Sequence, residues 1–266
     1  MIASRSFGAR SLMTAWLHSP LAQRMARAFH LSSVARPVAY IAETRGHGFI
    51  RVTKCGLVMT FVTPTPEIWQ ALGKTFAAER WLESLLAQIK ENDIVYDVGA
   101  HYGVYSLFAA RRGARVFAFE PNPACHSFFM RNAVANRPES VITLAPVALS
   151  DTSGTTLHQG EGVGMPDPVA VATCKGSVVP VSLVRADGYS KQQGWPTPTV
   201  LKIDVEGYES AVLDGFGVLL NDVRVVCEVH PRQLLPNGTP RGILRRITEA
   251  GLSVAASCRY EMCTIC

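Results

Sequence analysis

From residue 93 onward, short apolar runs alternate with amphipathic ones, and few architectures accommodate that order. Asp93–Gly99 reads as a strand, Val104–Arg112 as a helix, Ala114–Glu120 as a strand and Ala124–Ala135 as a helix. Val141–Leu149 is a third strand, and a Gly- and Pro-rich stretch spans 160–198. Then come the strand Val200–Glu206, the helix Glu209–Leu220, the strand Arg224–His230 and the helix Gly242–Ala250. A last apolar pair flanks Arg259-Tyr260-Glu261. Strands this short and this apolar need cover on both faces, and intervening helices supply it. The pattern therefore predicts an α/β domain built on a mostly parallel sheet.

Upstream, residues 48–63 read as two short strands around Lys54-Cys55-Gly56, closed off by Pro64 and Pro66. A helix carrying Phe76, Trp81, Leu82, Leu85, Leu86 and Ile89 on one face follows, and Glu91-Asn92-Asp93 stops it. The chain thus divides into a basic leader or helix (1–45), a β-hairpin extension (46–75) and a main domain (76–266).

Net charge is +5, and its location decides what it means. Arg5, Arg10, Arg24, Arg27 and Arg36 all fall before the first acid, Glu43, so the rest of the chain balances at 21 basic and 21 acidic groups. A nucleic-acid binder carries its basic patch on the folded domain. Nucleic acid is therefore not expected as a partner. The acid-free start has the composition of a mitochondrial transit peptide or of an amphipathic helix packed on the domain. A cytoplasmic location is expected, or a mitochondrial one if 1–42 is a transit peptide. No run of 18 apolar residues provides a membrane span. Seven cysteines, an odd number, do not suggest a disulfide framework. Cys55, Cys125, Cys174 and Cys227 are expected mostly to pack as small apolar groups.

The chemistry concentrates at strand ends. Asp97-Val98-Gly99-Ala100-His101-Tyr102-Gly103 closes the first core strand, the edge where parallel sheets bind ligands. A dinucleotide fingerprint needs G-x-G-x-x-G, but His101 and Val104 stand where its second and third glycines belong. One acid followed by G-x-x-x-G suits a nucleoside with a cationic amino-acid tail better than a pyrophosphate. Glu120, closing the next strand, is placed to accept hydrogen bonds from ribose hydroxyls.

Two further strand ends carry Leu201-Lys202-Ile203-Asp204-Val205-Glu206-Gly207-Tyr208-Glu209 and Cys227-Glu228-Val229-His230-Pro231. Alternation puts Lys202, Asp204 and Glu206 on one face, and Glu228 and His230 on one face of their own strand. Such a set could serve as a general base or a hard-cation site. The structural alternative has Glu206 and Glu209 favouring the next helix's N-terminus and Glu228 pairing with Lys202.

In this order the motifs resemble the FkbM family of S-adenosylmethionine-dependent methyltransferases, over roughly residues 76–250. The resemblance rests on DVGAxxG, FEPxP, the Asn132 and Asn136 pair in FMRNAVAN, PVALSD, LKIDVEGYE and CEVHP. It implies a class I, Rossmann-like sheet of seven strands and methyl transfer to an oxygen of a sugar, polyketide or other small hydroxylated acceptor. It also implies that Asp97 and the run Gly99, Ala100, His101, Tyr102 and Gly103 border the methionine moiety. Glu120 would hold the ribose, Leu149, Ser150 and Asp151 would lie near the adenine, and Asp204 would sit beside the transferring methyl. Two departures stand out. His101 replaces the usual asparagine, and Val184 stands where an aspartate is expected in VPVSLVRADGY.

The expected reaction is an in-line displacement in which an acceptor hydroxyl attacks the sulfonium methyl. Holding the three reacting atoms collinear can supply about 7–11 kcal/mol of the barrier. His230, oriented by Glu228 or Asp204, is the first candidate base and His101 the second; no resident metal is expected, and a divalent ion on Asp204, Glu206 and Glu228 is the less favoured route. The alternatives are a non-catalytic scaffold retaining the fold and a nicotinamide-dependent oxidoreductase. Residues 46–75 and 160–198 are expected to build the acceptor side. There Met165, Tyr189 and Trp195 are either wall residues or, as favoured, ordinary packing. The acceptor's identity and the oligomeric state are not legible in the sequence.

Overall fold

A computed structural model of the chain describes residues 41, 44, 48–77, 79–137, 141–161, 175–229, 239–251, 256–257 and 262–264. Among these, the central sheet has the strands β3 (Ile94–Val98), β4 (Arg115–Phe119), β5 (Ile142–Ala145), β9 (Val200–Ile203) and β10 (Arg224–Glu228), all mutually parallel. Two short strands, β11 (Ala256–Ser257) and β12 (Met262–Thr264), extend one edge antiparallel to their neighbours. The spatial order is β5-β4-β3-β9-β10-β12-β11. Chain order reverses at β3 and β9, so a crevice opens beyond their carboxyl ends.

Alternation along each strand distributes the core. Val95, Val116, Val200 and Val226 face one side, against α2 (Glu79–Gln88), α3 (Val104–Arg111) and α4 (Pro123–Asn136). Tyr96, Phe117, Leu201 and Val225 face the other, against α5 (Ala186–Gln192), α6 (Glu209–Phe216) and α7 (Pro240–Glu249). The hairpin of β1 (Phe49–Lys54) and β2 (Leu57–Val62) belongs to the first core, with Ile50, Met59 and Phe61 buried in it. Each such side chain contributes about 1.5–3 kcal/mol by leaving water. The aromatic cluster on the second side includes Tyr189 and Trp195, whose ring centroids lie 5.4 Å apart, so both pack as favoured. Met165 lies outside the described residues.

Several boundaries differ from the sequence reading for identifiable reasons. Pro66 opens a separate helix, α1 (Pro66–Ala77), instead of merely ending the hairpin, since proline suits a helix's first position. Pro146 has no N–H for the ladder and splits the expected third strand, leaving β6 (Ala148–Leu149) to join a small second sheet. That sheet, in the order β6-β8-β7, is completed by β7 (Gly154–Glu161) and β8 (Lys175–Val184). β8 and α5 thus occupy much of the stretch read as loop. Pro180 masked the strand: it pairs with Leu157 where only β7 flanks β8, as an edge position allows. The helix expected over Glu209–Leu220 ends at Phe216, followed by a 3-10 turn at Gly217–Leu220. Cys55 is exposed in the hairpin turn with φ 49°, against expectation, whereas Cys125 and Cys227 are buried. No helix among the described residues is long and apolar enough to cross a membrane.

At the opposite end of the sheet, Asp93 joins three segments. It accepts from Thr199 Oγ1 at 2.7 Å and from the Lys90 N–H at 2.6 Å, and it pairs with Arg224 at 2.5 Å. Burial pushes the Asp93 carboxyl up, but these donors outweigh it and leave it below its ordinary value. A carboxylate held low stabilises the fold above the ordinary Asp range and loses that contribution as pH falls through the lowered value. Asp93→Asn should cost about 2 kcal/mol at neutral pH, between the surface and fully buried limits for an ion pair. Denaturant melts of both proteins from pH 7 to 3 should show the difference shrinking on acidification; a pH-independent difference would contradict the assignment.

Candidate functional site

On the face under α3, the three strands run from valine to charge. Val95 is followed two residues on by Asp97, Val200 by Lys202 and Val226 by Glu228. Register pairs Asp97 with Lys202 and Lys202 with Val226, so Asp204 and Glu228 are neighbours just beyond the paired residues Ile203 and Cys227.

Lys202 is completely buried, and the groups around it explain how a charge survives there. Its ammonium lies 3.1 Å from Asp97 Oδ1 and 3.8 Å from Asp204 Oδ2. It donates to the carbonyls of Gly99 at 2.8 Å and Val98 at 3.3 Å, and sits 5.0 Å from the centroid of the Tyr105 ring. Burial would lower the Lys202 pKa; Asp97, Asp204 and Glu228 overcome it and hold it above its ordinary value. Tyr105 is raised by burial and by the same three acids. Asp97 also accepts from Ser106 Oγ at 2.6 Å and is only 1% exposed. It therefore braces the glycine turn from beneath instead of presenting its carboxylate to the crevice. Asp204, with its side chain 24% exposed, and the half-buried Glu228 are the carboxylates of this cluster that reach solvent.

The turn itself is held by the next β–α unit. The N–H groups of Gly99 and Ala100 both donate to the Phe119 carbonyl, at 3.0 and 3.1 Å. The His101 N–H donates to Glu120 Oε2 at 2.8 Å, while Glu120 Oε1 takes the Asn122 N–H at 2.8 Å. Glu120 is 7% exposed, and burial raises its pKa despite those two donors. Gly99 and Gly103 adopt φ values of +75° and +79°. A side chain on Gly99 would meet the Asp204 carbonyl oxygen at 1.9 Å, so only glycine lets the two strand ends approach this closely. His101 itself has φ 49°, and its ring lies against Tyr102 with centroids 3.7 Å apart and the planes tilted by 34°. Desolvation by burial, ahead of the Lys202 charge, lowers its pKa to about 4, so the ring is neutral at physiological pH.

Gly103 caps α3 without offering a side chain to the first-turn amides, an arrangement suited to an anionic group. Those amides, Glu120 and Asp204 together can receive a carboxylate, ribose hydroxyls and a cation, the three polar features of an amino-acid-bearing nucleoside.

Other expected residues are placed differently. The strand carrying Asp204 ends at Ile203, and Glu206 enters the left-handed region at φ 51° and is exposed, so alternation does not put it on the face of Lys202. Glu209 accepts the Gly207 N–H at 3.0 Å, in keeping with a role at the start of α6. Leu149 and Ser150 are buried in the second sheet: the Ser150 N–H donates to the Val184 carbonyl at 2.9 Å, and its hydroxyl to Asp151 Oδ1 at 3.1 Å. The segment leading to them leaves the central sheet at Ala145, whose carbonyl accepts the Glu120 N–H at 3.1 Å. At Val184, where an aspartate was expected, the neighbouring Arg185 pairs with Asp187 at 2.7 Å. His230 lies outside the described residues. Among the described residues no three His, Cys, Asp or Glu side chains are grouped to hold a metal ion.

Three contributors escaped the sequence reading as site residues: Lys202 as the central charge, Ser106 on Asp97, and Asn132. The signal for Lys202 was available, since a lysine within Val-Leu-Lys-Ile in a two-faced buried strand must be paired.

The chain's residues 97–251 match the family model described as the methyltransferase FkbM domain. The hexuronic acid methyltransferase AglP of Haloferax volcanii is 30% identical over 193 residues, covering 72% of this chain and 76% of that protein. The 31-O-demethyl-FK506 methyltransferase FkbM of Streptomyces tacrolimicus is 29% identical over 183 residues, 54% of this chain and 67% of that one. Among solved structures, methyltransferase FkbM from Methylobacillus flagellatus aligns with a TM-score of 0.46 at 14% identity, covering 74% of this chain and 53% of that one.

Proposed function

The chain belongs to the FkbM methyltransferase family, and from that premise we propose that it moves a methyl group from S-adenosylmethionine to a hydroxyl oxygen of a small sugar or polyketide-like acceptor. The supporting observation is the convergence of three complementary groups at adjacent strand ends: the uncapped N-terminus of α3, the Glu120 carboxylate and the Asp204 carboxylate. The chemistry of this set fits the cofactor. The α3 amides receive its carboxylate, Glu120 its ribose hydroxyls, and Asp204 faces its cationic centre. Each oxygen of Glu120 keeps a lone pair beyond the backbone N–H it already accepts. Leu149, Ser150 and Asp151 are assigned to the adenine side.

When bound, the cofactor supplies a methyl group activated by sulfonium. The protein's own share is positioning and proton removal. Asp204, tethered through the Lys202 cluster, fixes the reacting edge, and the neutral imidazole of His101 stands ready to accept a hydrogen bond. His230 remains the first candidate base, because it follows Glu228 by two residues in the sequence. The acceptor class is supported by the names of the relatives, one acting on a hexuronic acid and one on a demethylated FK506.

Calorimetry with S-adenosylmethionine, S-adenosylhomocysteine and NADH tests the reading. Both adenosyl ligands should bind and NADH should not. Failure of both to bind folded protein would favour a non-catalytic scaffold. In the same assay Glu120→Ala should weaken S-adenosylhomocysteine about 10- to 100-fold, the value of one or two hydrogen bonds to a charged group. Unchanged affinity would show that the ribose lies elsewhere.

A further inference from the structure

Helix α4 approaches the glycine turn and the N-terminal hairpin at once, through a single buried side chain. Asn132 is 1% exposed, and both ends of its amide are used. Its Nδ2 donates to the Tyr102 carbonyl, within the turn, at 2.9 Å. Its Oδ1 accepts the Val62 N–H, at the end of β2, at 2.8 Å. Asn136, one helical turn on, holds the same hairpin in a different way. It accepts the Thr60 N–H at 2.8 Å and donates to the Thr60 carbonyl at 2.7 Å, and it also donates to the Asn132 carbonyl of its own helix at 2.7 Å. Asn136 thus ties hairpin to helix, whereas Asn132 ties hairpin to turn.

The same helix backs the turn elsewhere. The Phe128 ring lies 5.5 Å from the Tyr102 ring, and the Phe129 ring fills the space where a Cβ on Gly103 would stand, at 2.8 Å. Tyr102 and Gly103 are therefore held from behind by packing, and the peptide between them is fixed at both ends, its N–H donating to the Ala100 carbonyl at 2.8 Å and its carbonyl accepting from Asn132. The same short turn carries the His101 N–H, which meets Glu120, and Gly103, the cap of α3.

We infer that Asn132 is a positioning residue that couples the hairpin of residues 49–62 to the cofactor turn, so that docking of the hairpin and binding at Gly99–Gly103 favour one another. The inference rests on the proposed use of that turn for an adenosyl cofactor. An amide is required because the two partners are opposite in kind: Tyr102 offers an acceptor and Val62 a donor. Aspartate would keep the bond to Val62 and set an oxygen against the Tyr102 carbonyl. Coupling of this kind is reciprocal, so the ligand must strengthen the hairpin as much as the hairpin strengthens binding.

The test is calorimetry of S-adenosylhomocysteine with full-length wild type, Asn132→Asp, Asn132→Ala and Asn136→Ala, each with its melting temperature. All three variants should melt lower. Both Asn132 variants should raise Kd about tenfold, as loss of one buried hydrogen bond predicts, and Asn136→Ala should stay within about twofold of wild type, lacking any bond to the turn. Equal affinities for wild type and the Asn132 variants, or an equal loss in Asn136→Ala, would overturn the inference. Hydrogen exchange on the wild type needs no variant to fold. S-Adenosylhomocysteine should slow the Val62 amide by more than it slows the core amide of Val116, and no slowing at Val62 would also overturn it. If wild type binds no adenosyl ligand, the cofactor reading fails instead.

Discussion

Gly99→Ala should abolish measurable binding of S-adenosylhomocysteine and lower stability by about 2–5 kcal/mol. Two independent costs add. The residue sits at φ +75°, where a Cβ costs about 1–2 kcal/mol. The new methyl would also lie 1.9 Å from the Asp204 carbonyl oxygen, and an overlap with backbone cannot be relieved by a rotamer change. Separating the strands to remove it costs about 1–3 kcal/mol more and moves Asp204 away from the turn. Gly194→Ala provides the comparison, because it has φ +64° but nothing within 4 Å of the added Cβ. It should lose only the conformational part, about 1 kcal/mol, and bind the ligand normally. Thermal melts should separate the two variants by several degrees, since about 1 kcal/mol corresponds to about 2–4 °C in a domain of this size. Equal melting points would show that β3 and β9 do not approach as closely as described.

Removing the Lys202 charge should have the other large effect. Lys202→Met leaves Asp97 buried with only the Ser106 hydroxyl beside it, and breaking a buried pair from one side costs about 3–5 kcal/mol. It also removes the donor to the Gly99 carbonyl, whereas the Val98 carbonyl keeps the Asp204 N–H at 3.1 Å. The double variant Lys202→Met, Asp97→Asn removes both charges and should recover a large part of that loss. The coupling energy from denaturant melts of the four proteins measures the pair directly. Additive effects would mean that the two residues do not form an ion pair. S-Adenosylhomocysteine affinity should fall with the single variant and improve with the double one, because the turn rests on this pair.

The glycine turn, Glu120 and the carboxyl-edge position of Asp204 were legible in the sequence because each depends on a short stretch of chain. A strand run followed by an acid, two glycines and a helix has few ways to fold, and the family model matched over 97–251 agrees with that reading. Glu206 was misplaced for an equally local reason: a period of two holds only while the strand lasts, and this one ends at Ile203. Pro180 had the opposite effect and hid β8, the middle strand of the small sheet, in a stretch rich in glycine and proline.

Which carboxylate faces the crevice was a different kind of question. Asp97 and Asp204 look alike in the sequence, each at a strand end and followed by valine. Register alone sets Asp97 opposite Lys202 and carries Asp204 one step past the ladder, so one acid is buried under the turn 3.1 Å from the ammonium and the other, 3.8 Å from it, is partly exposed at the strand end. The two bonds of Asn132 likewise join segments 30 and 70 residues away, a match that no local pattern encodes. Backbone conformation follows from neighbours along the chain and could be read there. Burial and pairing of charge follow from neighbours across the sheet, and only the packed structure brings those together.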